Sequence, residues 1–189
     1  MTHGDVRSVR KVYGRRVPGG KAEIRHQVDA ETLFPLVLTA VGLPSPATHK
    51  VNDTEIIQEH LAGTVGGDTL PDGGWGLLPE EITRSDDGVL LALADLIGSN
   101  HDRNVGIWLR TPDGRIAGID HGDSHRGGIP MGNEFVAATF FTVDEDERGH
   151  PTARLIDNDL SPADVAVVRA RVEALAPQYE ALGRGAWHR

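Results

Sequence analysis

The sequence predicts an α+β fold, and three stretches predict it. Residues 6–13 (V-R-S-V-R-K-V-Y) alternate apolar and basic side chains, as a half-exposed strand does. Val89, Leu90, Leu91, Leu93, Ala94, Leu96 and Ile97 recur at helical spacing until Gly98 stops the pattern. Residues 106–109 and 115–119 are short, β-prone runs joined by Pro112-Asp113-Gly114, which reads as a hairpin.

The elements follow in chain order. After the first strand, residues 14–20 form a loop rich in Arg, Gly and Pro, and no G-x-G-x-x-G phosphate loop precedes the strand. Asp29-Ala30-Glu31-Thr32 is expected to open a helix through Leu33, Leu36, Val37, Ala40 and Val41, with Pro35 in its first turns and Gly42 as its stop. Residues 49–52 and 54–61 read as a hairpin around Asn52-Asp53, with Ile56-Ile57 as its buried stretch. Residues 64–76 form a glycine-heavy loop that Trp75 would anchor. A short helix over 79–85 precedes the longer one from Asp86. Residues 135–141 are apolar enough to pack into the core, 144–150 read as a charged surface loop, and Ser161-Pro162-Ala163-Asp164 starts a last helix running toward Leu182.

A chain of 189 residues makes one domain or two small lobes and can bury a core. The net charge of −9 argues against nonspecific nucleic-acid or anionic-membrane binding, both of which need a basic surface. Cysteine is absent, which excludes disulfides, thiolate catalysis and zinc–cysteine sites. No apolar run approaches the roughly 20 residues of a membrane span, and the first residues lack the apolar core of a signal peptide, so a cytoplasmic protein is expected.

The hairpin organises the chemistry. Asp102 enters its first arm and Asp120 leaves its second, so two carboxylates 18 positions apart in sequence are expected to meet in space. One would orient or deprotonate a hydroxyl while the other holds Mg²⁺ against phosphate oxygens. Asn100-His101-Asp102-Arg103, Gly106, Trp108-Leu109 and Ile119-Asp120-His121-Gly122 resemble the catalytic segment of atypical kinases, the phosphatidylinositol 3/4-kinase-like and HipA-like branch of the protein-kinase superfamily. The resemblance implies a compact, reduced, two-lobed kinase-like fold, with a small N-terminal lobe over 1–63 and a C-terminal lobe over 64–189. It implies ATP and Mg²⁺ as cofactors and phosphoryl transfer to a hydroxyl acceptor on a protein, peptide or small molecule.

By the same resemblance Asp102 is the catalytic aspartate and Asp120 the metal ligand, with Arg103 bracing the loop or a phosphate. Lys11, or Lys21 in its place, is the phosphate-binding lysine, and Glu31, or Glu23, pairs with it. The alternative for Lys11 is a solvated side chain on a strand's outer face, and for Glu31 an acid that suits a helix's first turn. Glu59 and Leu61 lie in a stretch similar to the hinge between kinase lobes, where backbone groups bind adenine. The family pattern has His where Asn104 stands, and a metal-binding Asn where Ile107 stands. Asn104, Asp123 and His125 are candidates for that vacated position, and a pseudokinase acting as a nucleotide- or partner-binding module is the second reading. The third gathers His101, His121 and His125 with Asp102, Asp120 and Asp123 around a transition metal for hydrolysis. A partner chain completing the small lobe is a further possibility of the resemblance.

Overall fold

The computed structural model describes residues 7–14, 20–70, 78–128, 130, 132–145, 151–155, 166–167, 170–171 and 173–177. The chain is mixed α and β. Strand β1 (Ser8–Val12) is followed by helix α1 (Gly20–Val41), then β2 (Thr48–Asn52) and β3 (Glu55–Glu59), in an antiparallel sheet of order β1-β3-β2. A second antiparallel sheet has the order β4-β5-β6, from β4 (Thr64–Val65), β5 (Trp108–Arg110) and β6 (Ile116–Gly118). Between β4 and β5 come a 3₁₀ turn (Gly66–Thr69), α2 (Glu80–Thr83) and α3 (Asp86–Ile97). Helix α4 (Glu134–Phe140) leads into a two-stranded ribbon of β7 (Phe141–Glu145) and β8 (Pro151–Leu155).

The hairpin of residues 106–119 forms as expected, with Leu109 opposite Ala117, and so does the hairpin around Asn52-Asp53. Of the pair expected to be buried there, Ile56 is fully buried while Ile57 is 40% exposed on the outer face, because alternate strand residues face opposite sides. Helix α3 starts at Asp86 as expected, and Ser85, read as the end of the short helix before it, is instead its cap: the Ser85 hydroxyl accepts the Gly88 N–H at 3.1 Å.

Helix α1 departs from the sequence reading. It begins at Gly20, so Glu31 lies in its middle and Pro35 deep in its interior. Pro35 has no N–H to donate to the Glu31 carbonyl, and an interior proline costs about 3 kcal/mol. Burial of Leu33, Phe34, Val37, Leu38 and Val41 on the same helix outweighs that penalty. At the other end Gly42 adopts φ 91°, Leu43 donates to the Leu38 carbonyl at 2.9 Å and Gly42 to that of Thr39 at 3.0 Å, a Schellman stop.

Residues 144–145, read as loop, belong to β7. Residues 15–19, Trp75 with the rest of 71–77, 146–150, and the helix start at 161–164 lie outside the described residues. One core joins the C-terminal half of α1 to α3, α4 and the second sheet, with Trp108 set edge-on to Phe135 at 5.7 Å. Arg115 ties these parts together, donating to Asp87 on α3 and, at 2.9 Å, to the Gly42 carbonyl behind α1.

Gly66 lies flat against the Trp108 indole, where an added Cβ would sit 1.9 Å from the ring. Gly66→Ala must therefore push the indole or the 3₁₀ turn out of place. Urea unfolding should show a loss of about 1–3 kcal/mol, and an unchanged midpoint would mean that Trp108 does not pack there.

Candidate functional site

Strand β1 and helix α1 bring the cationic half of the site together. Lys11 stands opposite Ile56 on the face of the sheet turned toward α1, which places its stem against the protein and leaves the side chain partly exposed. The Lys11 Nζ donates to Glu31 Oε1 at 2.8 Å and lies 3.4 Å from Asp120 Oδ1. Glu31 is completely buried, because the register of α1 turns it inward under β1. The first-turn explanation for this glutamate therefore does not apply, nor does that of a solvated outer-face lysine. Tyr13, which sequence reasoning missed, donates its hydroxyl to the same Glu31 Oε1 at 3.1 Å. Its signal was modest: a polar aromatic two residues after Lys11 on the same strand face.

The hairpin supplies the acidic half. Its ends stay joined past the strands, since the Ile119 N–H donates to the Ile107 carbonyl at 3.1 Å. Asp120 leaves this junction with φ 55°, a left-handed backbone that costs a non-glycine residue about 1–2 kcal/mol. Its side chain is 60% exposed and reaches toward Lys11. Asp102 is exposed at the start of the other arm, with its Oδ1 accepting from Asn104 Nδ2 at 3.1 Å and its backbone N–H donating to Asn100 Oδ1 at 3.3 Å. Asn104 also accepts the Gly106 N–H at 2.9 Å, so its amide is spent on shaping the loop. Ile107 contributes its carbonyl to the junction.

Arg103 is fully buried and braces the loop; no part of it is available to a phosphate, which corrects that half of the expectation. Its Nε and Nη2 form a fork on Asp95 of α3 at 3.0 and 2.9 Å. Its Nη1 donates to the Ile107 and Ile119 carbonyls, both at 2.6 Å, and its Nη2 reaches His121 Nδ1 at 3.1 Å.

The electrostatics sort the carboxylates. Burial raises the Glu31 carboxyl above the ordinary glutamate range, and a neighbouring Asp120 raises it further, against the pull of Lys11. For Asp120 the penalty of partial burial is outweighed by hydrogen bonding with Glu31 and by the charges of Lys11 and Arg103, so it titrates below the ordinary aspartate range. Of the two, the buried acid is therefore the first to take up a proton as pH falls, and the exposed Asp120 the last to give up its charge. Burial presses the Lys11 ammonium down, but Glu31 and Asp120 more than offset it and the net direction is up.

Other expected residues lie elsewhere. Lys21 is exposed in the first turn of α1, and Glu23 pairs with Arg126, which also pairs with Asp123. Glu59 is exposed at the end of β3 and its Oε2 accepts from the Ala47 N–H at 3.4 Å. Leu61 is half-buried in the segment 60–63 that crosses from one sheet to the other, and neither residue joins the group around Lys11. The histidines do not assemble a metal centre. His121 is buried and stacked on Phe34 at 4.7 Å, His101 Nε2 contacts the Gly127 carbonyl at 3.0 Å, and the His125 backbone N–H donates to the Gly98 carbonyl. Among the described residues no three His, Asp or Glu side chains converge as ligands, which removes the support for the hydrolase reading.

Burial, and then the Arg103 charge beside it, hold His121 neutral well below its ordinary pKa of about 6.5. The unfolded chain takes up a proton there as pH falls below about 6.5 while the folded chain does not, so His121 contributes stability above that pH and loses it below. The stability difference between wild type and His121→Gln should narrow by about 1–1.5 kcal/mol between pH 7.5 and 5.5 in urea titrations. A constant gap would mean that the folded imidazole protonates freely.

No protein-family model matches the chain, and no curated protein matches it. Among solved structures it is similar to the crystal structure of a Helicobacter pylori proinflammatory kinase, CtkA, with a TM-score of 0.48 and 12% sequence identity over 90% of this chain and 76% of that one. No helix among the described residues is long and apolar enough to cross a membrane.

Proposed function

We propose that this chain binds ATP with Mg²⁺ and transfers the γ-phosphoryl group to a hydroxyl acceptor on a protein, peptide or small molecule. The observation that carries the reading is the placement of the Lys11 ammonium between buried Glu31 and exposed, anionic Asp120, on three elements far apart in sequence. The resemblance of residues 100–122 to the atypical-kinase catalytic segment supports it independently of that geometry.

The donor set fits the group it would hold. Asp120 offers a hard, exposed carboxylate, and Mg²⁺ takes one or two such ligands, completing its shell with water and phosphate oxygens. Bound there, the metal would neutralise charge on the β- and γ-phosphates during an in-line displacement. Lys11, fixed by Glu31 and Tyr13, would place a cation on the nucleotide phosphates. Asp102, exposed and braced by Asn104, would orient the acceptor hydroxyl and take its proton as the new P–O bond forms and the β–γ bond breaks. The crossover segment 60–63 would border the adenine through its backbone.

Ile107 favours a second reading, a nucleotide-binding module with little turnover. Its side chain offers no metal ligand, and the amide of Asn104, the candidate to replace it, is already engaged with Asp102 and Gly106.

Calorimetric titration with ATP, with and without Mg²⁺, tests the assignment. Asp120→Ala should abolish the increase in affinity that Mg²⁺ gives, and Lys11→Met should weaken ATP binding about 10-fold or more. Asp102→Ala should leave binding intact and lower γ-phosphate transfer by about 10²–10⁴-fold. Unimpaired transfer in the Asp102 and Asp120 variants would refute the reading, and tight Mg²⁺–ATP binding by a wild type without transfer would select the binding module.

A further inference from the structure

Asp120 is the one acidic residue among the described residues whose backbone is left-handed. Its neighbours on both sides are gripped by a single guanidinium: Arg103 donates to the Ile119 carbonyl at 2.6 Å before it and to His121 Nδ1 at 3.1 Å after it. The same nitrogen that holds Ile119 also holds Ile107 on the other arm. A residue clamped at both flanking positions keeps a backbone conformation that it would otherwise leave.

Asp95 on α3 aims that guanidinium, and Asp95 is itself held from two other elements. Asn100 Nδ2 donates to its Oδ1 at 3.0 Å and Asn133 Nδ2 to its Oδ2 at 2.9 Å. Asn133 also donates to the Asn100 carbonyl at 2.8 Å and accepts the Val136 N–H at 3.0 Å, which anchors the cluster to the start of α4. Asp95, Asn100, Arg103 and Asn133 are all fully buried, so water competes for none of these bonds.

We infer that Asp95 is a positioning residue of the site: acting through Arg103, it holds the left-handed turn that presents Asp120 to Lys11. The functional consequence rests on the nucleotide reading above, whereas the bracket itself does not. An ion pair that only filled the core would be replaceable by an apolar pair without effect on Asp120. A bracket would not.

The test has two parts. Arginine only donates, so a neutral His121 must accept at Nδ1 and carry its proton on Nε2. Nitrogen-15 NMR of the histidine-labelled wild type should show that tautomer, and Asp95→Asn should mix the two; an Nδ1-protonated wild type overturns the bracket whatever the chain binds. Calorimetry then compares the Mg²⁺-dependent increase in ATP affinity across Asp95→Asn, Asp95→Asn/Arg103→Met and the milder Asn133→Ser. Asp95→Asn and the double variant should lose about 10-fold or more of that increase, with Mg²⁺-free ATP binding unchanged, while the double variant regains the melting temperature that Asp95→Asn loses. Asn133→Ser, which keeps the ion pair, should lose a smaller part. A double variant, or an Asn133→Ser protein, with the full wild-type increase overturns the positioning role. A wild type that shows no Mg²⁺-dependent binding refutes the nucleotide reading, and the His121 tautomer still decides the bracket.

Discussion

Taking a guanidinium out of water costs several kcal/mol, and the interior repays this only when every donor finds an acceptor. Arg103 meets that condition. Its five N–H donors reach Asp95 twice, the Ile107 and Ile119 carbonyls, and His121, and the group also lies 5.9 Å from the centre of the Phe34 ring. Through those contacts one side chain joins α3, both ends of the β5–β6 hairpin and the face of α1. Losing either partner would strand a buried charge, and the loops bearing Asp102 and Asp120 would lose their common anchor.

The site built on that anchor distributes charge by burial. Lys11 sits between two carboxylates in different surroundings, and the difference decides which of them protonates first as pH falls. Buried Glu31, with Tyr13 on the same oxygen, orients the lysine. Exposed Asp120 carries its charge toward solvent. The segment after Asp120 also lies along the first half of α1, where Arg126 bridges Glu23 and Asp123 and His26 contacts the Ser124 carbonyl at 2.8 Å. The helix that carries Glu31 and the loop that carries Asp120 therefore share an interface beyond the lysine.

What the sequence disclosed, it disclosed locally. The hairpin was legible from its Asp-Gly turn and flanking apolar runs, α3 from a helical stripe ended by Gly98, and the end of α1 from Gly42. The beginning of α1 was not, because Pro35 reads as a first-turn residue and only tertiary burial explains its place in the interior. Lys11, Glu31 and Asp120 were named through a family pattern, and the structure brings the three into contact. Asp95 and Asn133 left no such trace, and Tyr13 only a modest one. Each acts through a partner distant in sequence or through the buried side of its element, where a lone polar residue looks like any other. Arg103 was recognised as a brace, but its burial, which removes it from phosphate binding, became visible only with Asp95 beside it.

The proposed function requires that Lys11 and Asp120, side by side in the fold, serve one metal–nucleotide site. Replacing Mg²⁺ by paramagnetic Mn²⁺ in the presence of ATP and recording amide NMR spectra of the whole chain tests it most directly. The account predicts the strongest broadening at residues 119–122, with 11–13 and 102–104 next. Broadening centred on the 123–126 loop or the first turn of α1, or none above that of free Mn²⁺, would contradict it.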